Sequence, residues 1–371
     1  MKFLKNTFSR LLLVYILWLA SWTLVTSLYN VYLYGMGIPI EQIFFSNAFV
    51  YAAALLTIPL FSKFETRDFM VVGVAMSILS VLSLLLFPPP WAAYVSQFFA
   101  GTTCFIFWVP FNTLYYEFRK GDNAQLAALY YSLGPLLAMI LPVFCGWFVV
   151  SMGFPLLFAL AILLFIVTFA VTFLLIDNRP YHYGFIRSLK AISGLKSIIF
   201  MEGFAGAVII QATLGALLLL YTSKPLEFGI FTSLATVFSV IAAITAARIS
   251  DKLRRRRELL LIMVTCFAFS AIAASLAQDI MVFFVTFGLI NFFSRIFFPL
   301  PLALVVDNSK DLQASMVGRE IMLNTGRLAG VMAGCLALLF VDLKAVLFLQ
   351  GLALFLYIPV FENRKKKLVR H

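Results

Sequence analysis

Twelve apolar runs, each roughly 20 residues long and nearly free of charge, leave this chain one class of solution. A run of that length crosses hydrocarbon only as a helix, because in lipid each backbone N–H and C=O must be satisfied within the segment. The runs fall at roughly 11–34, 41–61, 69–87, 92–116, 125–150, 154–176, 197–221, 228–248, 258–277, 280–306, 313–340 and 343–361. Of all residues 63% are apolar, 12% are charged and 41 are Phe. A soluble domain carries nearer a quarter charged residues, so no soluble fold hides these side chains. The chain reads as an all-α polytopic membrane protein of twelve transmembrane helices.

Basic residues set the expected orientation. With the amino terminus in the cytoplasm, 23 Lys and Arg fall on that side and only Lys224 and Lys344 opposite. That bias expects both termini in the cytoplasm, in the plasma or inner membrane of the cell. It also accounts for the net charge of +12 without nucleic acid. The basic tail Arg364 to Lys367 reads first as a topology signal and second as a contact for anionic lipid. The first apolar run, at about 24 residues, is too long for the core of a cleaved signal peptide and is expected to remain as span 1. Cys104, Cys145, Cys266 and Cys335 all fall within spans, so no disulfide framework is implied.

The pattern is written twice. Ser62-Lys63 recurs 188 positions on as Ser250-Asp251, Gln125 as Gln313 and Gly146 as Gly334, while Pro110 and Pro299 fall one residue out of register. Self-similarity at one long spacing marks structural repeats, and membrane repeats commonly hold a substrate path between them. The expected domains are 1–178, a linker 179–196 and 197–371.

The loop after span 8 reads Ala247-Arg248-Ile249-Ser250-Asp251-Lys252-Leu253 followed by Arg254 to Arg257. It resembles the loop signature of the major facilitator superfamily. Pro59 to Asp68 is a degraded copy, with Lys63 at the position of the family's Asp and Arg67 retained. Gln97-Phe98-Phe99-Ala100-Gly101 is similar to the family's Arg-x-x-Gln-Gly segment in span 4, with Gln for Arg. The resemblance implies two six-helix bundles rocking about a cavity lined by spans 1, 4, 7 and 10 and flanked by 2, 5, 8 and 11. It also implies a cytoplasmic latch at Asp251, Lys252, Arg255 and Arg256; the competing reading is that this run only enforces topology. Span 5, with Gly134-Pro135, Pro142 and Gly146, faintly resembles a proline segment of proton-coupled drug exporters, but Ala138-Met139 replace two glycines there.

Charge inside the membrane is costly, so each case needs a reason. Arg295 stands 12 residues from Asp307, roughly 18 Å along a helix, and Arg327 is deeper still. Neither reaches an interface. Asn291 shares a face with Arg295, and Glu320, Asn324 and Arg327 form one stripe at i, i+4 and i+7. Gln97, Trp108 and Asn112 in span 4 and Trp18, Trp22 and Thr26 in span 1 make similar stripes. The expected substrate cavity is therefore Arg295, Arg327, Asn291, Asn324, Gln97, Trp108, Asn112 and Trp22, with Glu320 and Glu202 as coupling carboxylates. A structural ion-pair network is the competing reading for both arginines. Arg319 is expected to be shallow, a snorkelling or latch residue, and Glu202 within reach of the interface.

Three in-span arginines against two glutamates favour an anionic or carboxylate-bearing solute. No reactive constellation, metal-ligand spacing or phosphate loop is present, so an enzyme and ATP-driven transport by this chain alone are set aside. The function expected is secondary transport of a small molecule by alternating access, coupled to protons or another ion or to exchange. The protein is expected to be monomeric, with no cofactor. Drug efflux, lipid flipping and a non-transporting sensor on the same fold are the alternatives.

Overall fold

The computed structural model describes residues 7–117, 123–252 and 256–368, with side chains described except at 123–129, 131, 243–252, 256–257 and 363–368. Within these residues, twelve helices are long and apolar enough to cross a membrane. Spans 1 to 6 are Thr7–Gly35, Ile40–Leu60, Thr66–Leu86, Trp91–Glu117, Ser132–Met152 and Phe154–Leu175. Spans 7 to 12 are Lys196–Leu220, Pro225–Ala242, Glu258–Leu276, Ile280–Asp307, Leu312–Leu338 and Leu343–Glu362. The helix of span 5 starts earlier, at Asn123, and runs through both Pro135 and Pro142. The sequence expectation agrees with the helix bounds to within a few residues.

The spans form two six-helix bundles, and the repeat is visible in their packing. Span 5 of the first bundle lies on span 8 of the second, and span 11 lies on span 2. Gly146 and Gly334 take corresponding places in these two contacts. A Cβ at Gly146 would stand 2.7 Å from the Pro225 carbonyl oxygen, and one at Gly334 would stand 2.9 Å from the Phe44 ring. Spans 4 and 10 are each interrupted at the same level, between Ile106 and Trp108 and between Phe297 and Pro299. Proline supplies the cause, since Pro110 and Pro299 remove one i→i−4 hydrogen bond each.

The linker holds structure that the apolar pattern does not foresee. Lys63–Glu65 (β1) pairs antiparallel with Pro180–His182 (β2), Phe64 facing Tyr181. A short helix, Phe185–Ala191, then packs across the start of span 11. The approach is close: a Cβ at Gly318 would meet the Ser188 carbonyl oxygen at 2.2 Å. Tyr181 is fully buried, stacks on Phe64 and donates its hydroxyl proton to the Gln313 carbonyl of span 11 at 2.9 Å. The same oxygen lies 3.1 Å from Thr113 Oγ1 in span 4. Burial holds this phenol well above its usual pKa, so it remains a donor. Around it Ile58, Phe105, Ile106 and Val109 of the first bundle pack with Val317 and Ile321 of the second. The degraded Lys63 loop thus serves as a strand that ties the linker to both bundles.

Candidate functional site

Spans 7 and 11 bring the buried charges together. Arg319 Nη2 donates to Glu202 Oε1 at 2.9 Å, and Nη1 donates to Glu320 Oε1 at 3.1 Å. All three side chains are buried. A lone buried charge is strongly disfavoured, whereas two carboxylates on one guanidinium satisfy most of the demand. Helical spacing extends the network along span 11. Asn324 Nδ2 donates to Glu320 Oε2 at 3.2 Å, and Arg327 Nη1 donates to Asn324 Oδ1 at 3.3 Å. Beyond Arg327 the network ends on an aromatic face: the guanidinium stands 5.7 Å from the Tyr51 ring centroid, across the boundary in span 2.

A cavity of about 490 Å³ opens beside this network, and Glu202, Arg295, Arg319, Glu320 and Arg327 all line it. Its other wall comes from the first bundle and is aromatic. Tyr15 stacks on Tyr130 with centroids 5.1 Å apart, and Trp108 stands edge-on to Tyr15 at 5.8 Å. Trp18 backs this wall, stacked on Phe107 at 4.7 Å. On the lining, Glu202 Oε2 and Asn112 Oδ1 have no hydrogen-bond partner among the described residues.

A second chamber of about 250 Å³ adjoins the first, sharing Val50, Tyr51 and Gln211 with it. It lies toward the end away from the linker, where Asn30, Asn47 and Gln97 face it. Among the described residues, no Asp, Glu, Lys, Arg or His lines it.

The expected site residues distribute as follows. Arg295, Arg327, Trp108 and Asn112 line the charged cavity together with both coupling candidates, Glu202 and Glu320. Gln97 and Trp22 line the second chamber instead. Asn324 is fully buried and holds Glu320 and Arg327 in place rather than facing the cavity. Asn291 lines neither chamber; it turns to span 8, where Ser239 donates to it at 3.3 and 3.4 Å. Its shared helical face with Arg295 put it near the cavity, but the side chain meets span 8 first.

Two depth arguments need correction. Arg319 is buried and central to the network, not shallow. Glu202 is likewise only 3% exposed. Counting residues from a helix end misjudged Arg319 because the linker helix covers the first turns of span 11. The latch side chains Asp251, Lys252, Arg255 and Arg256 lie outside the described residues. Tyr51 and Gln211, which join the two chambers, were missed, because a single Tyr or Gln within an apolar run is an ordinary packing residue by its sequence.

Two six-helix bundles related by a repeat, with a polar cavity between them, define the fold of the major facilitator superfamily. Human organic anion transporter MFSD10 (TETRAN) shares it at a TM-score of 0.73 and 12% identity, covering 96% of this chain and 99% of its own. FucP, a major facilitator superfamily transporter in its outward conformation, matches at 0.72 and 11% identity over 96% and 98%. The nucleoside transporter NupG matches at 0.65 and 12% identity over 97% and 99%. No family model matches the sequence, and no curated protein is significantly similar to it. At such identities the likeness is one of fold.

Proposed function

We propose that this chain is a secondary carrier that moves a small anionic or carboxylate-bearing solute by alternating access. Arg327 is the observation that carries the reading. It lines the cavity between the bundles, and its partners are one amide oxygen and one ring face, with no carboxylate among them. Arg319 is matched by two glutamates. A guanidinium with spare donors in a water-accessible cavity is a receptor for carboxylate or phosphate. Three arginines on the cavity lining against two glutamates tilt its charge the same way.

Coupling rests on Glu202, whose Oε2 has no partner although the group is buried at the cavity. That oxygen is where a coupling proton would sit, with Glu320 sharing the same arginine. The positive-inside bias supports cytoplasmic termini; the plasma or inner membrane is the proposed site of action and the monomer the proposed working unit. Solved proteins of this fold carry chemically different solutes, so the cavity rather than the fold supports the choice of anion.

The test is solute uptake by the purified chain in liposomes, offered small carboxylates and phosphate with and without a pH gradient. Uptake is expected to depend on the gradient or on counter-solute. Arg327→Ala and Arg295→Ala are expected to abolish it while the protein stays monodisperse in detergent. Normal uptake by Arg327→Ala, or thermal stabilisation only by lipophilic cations, overturns the reading.

A further inference from the structure

The chamber beyond Tyr51 is lined by unfilled hydrogen-bonding groups, and all of them are neutral. Gln211 and Asn30, both half-buried, make no side-chain hydrogen bond among the described residues. The indole N–H of Trp22 is buried without an acceptor. Asn47 spends its amide nitrogen on the Ile43 and Phe44 carbonyls at 3.2 and 3.1 Å, which leaves its Oδ1 with no protein partner. Buried polar groups are satisfied as a rule, because an unmade hydrogen bond costs about 1–3 kcal/mol. Donors and acceptors converging on one enclosed space therefore match a ligand that supplies both.

The two chambers also adjoin. Tyr51, Val50 and Gln211 belong to the lining of each, and Arg327 stands over the ring of Tyr51 at that junction. An anionic group held by Arg327 sits at the doorway. From there the rest of the molecule has two directions. One is the charged cavity, where Arg319, Glu202 and Glu320 already satisfy one another for the most part. The other is the neutral chamber, where the Asn30 and Gln211 amides, the Asn47 Oδ1 and the Trp22 indole N–H have no partner among the described residues.

We infer that the solute is bipartite: an anionic head bound at Arg327 and an uncharged body rich in hydroxyl or amide groups, seated in the chamber of Trp22, Asn30, Asn47, Gln97 and Gln211. This makes the second chamber the specificity-determining half of the site. Simple carboxylates fill only the head position. Tyr51 separates the two, with its ring against the head and its edge beside the body. The inference rests on the proposed anion-binding role of Arg327 and adds what the rest of the molecule must be.

Binding to the detergent-solubilised full chain tests it by titration calorimetry with four kinds of probe. These are pyruvate (head alone), glucose (body alone), alanine (a zwitterion) and a panel of hydroxylated anions: gluconate, glucuronate, quinate and glucose 6-phosphate. At least one hydroxylated anion is expected to bind at least about tenfold more tightly than pyruvate, the gain of one or two well-made hydrogen bonds. Asn30→Leu and Asn47→Leu, which alter only the second chamber, are expected to bring that anion down to the level of pyruvate and leave pyruvate unchanged. Arg327→Ala is expected to weaken both. If pyruvate matches every hydroxylated anion and all fall together with Arg327→Ala, the anion site stands and the bipartite solute is wrong. If glucose or alanine binds as tightly as the best hydroxylated anion, the inference is also wrong. If no anion binds at all, the underlying reading of Arg327 fails first.

Discussion

Span 4 and span 10 are one helix built twice, each broken beside a proline at the same level, yet they bring opposite chemistry to the cavity. Span 4 contributes Trp108 and Asn112; span 10 contributes Arg295. The contrast extends through the bundles. The first half offers Tyr15, Trp108 and Tyr130 as a stacked wall, and the second holds the Glu202–Arg319–Glu320 pairs entirely within itself. Where the networks meet, the second half reaches the first through a cation over a ring, Arg327 on Tyr51. That contact is worth about 0.5–2 kcal/mol, whereas breaking a buried ion pair costs about 3–5 kcal/mol. For the alternating access proposed above, keeping the charge on one side would let the halves part at the cavity without tearing this buried ion-pair network.

The largest effect that tests this comparison is expected at Arg319. Arg319→Met leaves Glu202 and Glu320 buried without their cation and is expected to cost about 3–5 kcal/mol, read as a lowered melting temperature in detergent. Replacing both glutamates with Gln in the same variant is expected to restore most of the loss. If the single variant melts like the parent, the second half is not organised around that pair. A smaller effect separates the two corresponding glycines. Gly146→Leu drives a side chain into the backbone of Pro225 and Leu226, whereas Gly334→Leu meets the movable ring of Phe44. Overpacking costs about 1–3 kcal/mol, and Gly146→Leu is expected to fall at the upper end, with Gly334→Leu below it. Equal losses, or the reverse order, mean that the 5–8 and 2–11 contacts are not set by these approaches.

Much of this was written plainly in the chain. Apolar length located all twelve spans, and the cost of charge in lipid singled out Arg295, Arg327 and Glu320, all of which line the cavity. What stayed illegible has a common cause: it depends on which surface covers which. Arg319 looked shallow because distance along a helix carries no information about a linker helix lying across its first turns. Asn291 looked central because a helical face does not say which neighbour it meets. The second chamber was hidden more deeply. Its Asn30, Asn47, Gln97 and Gln211 come from four different spans, one amide each, and only the fold gathers them. The same holds for the linker, whose Tyr181 reads as an ordinary loop aromatic until β1 pairs with β2.

Tyr181 also supplies the smallest and most discriminating test, because it joins the halves at the linker end. Tyr181→Phe keeps the stack on Phe64 and removes the hydroxyl, with its hydrogen bonds to the Gln313 carbonyl and to Thr113 Oγ1. A neutral hydrogen bond contributes about 0.5–1.5 kcal/mol, so the melting temperature is expected to move little. The informative readout is access to Cys104, which lines the cavity and, in a variant retaining it as the sole cysteine, can be labelled with a maleimide. If the linker strap restrains opening at that end, its loss raises the open population, and labelling is expected to quicken by roughly two- to tenfold, the same energy expressed as a ratio. A lowered melting temperature with unchanged labelling makes Tyr181 a packing residue. In that case the apolar contact of Ile58, Val109, Val317 and Ile321 holds the two halves at the linker end without help from the Tyr181 hydroxyl, and the strand pairing of Lys63 is a detail of the first half rather than a link between both.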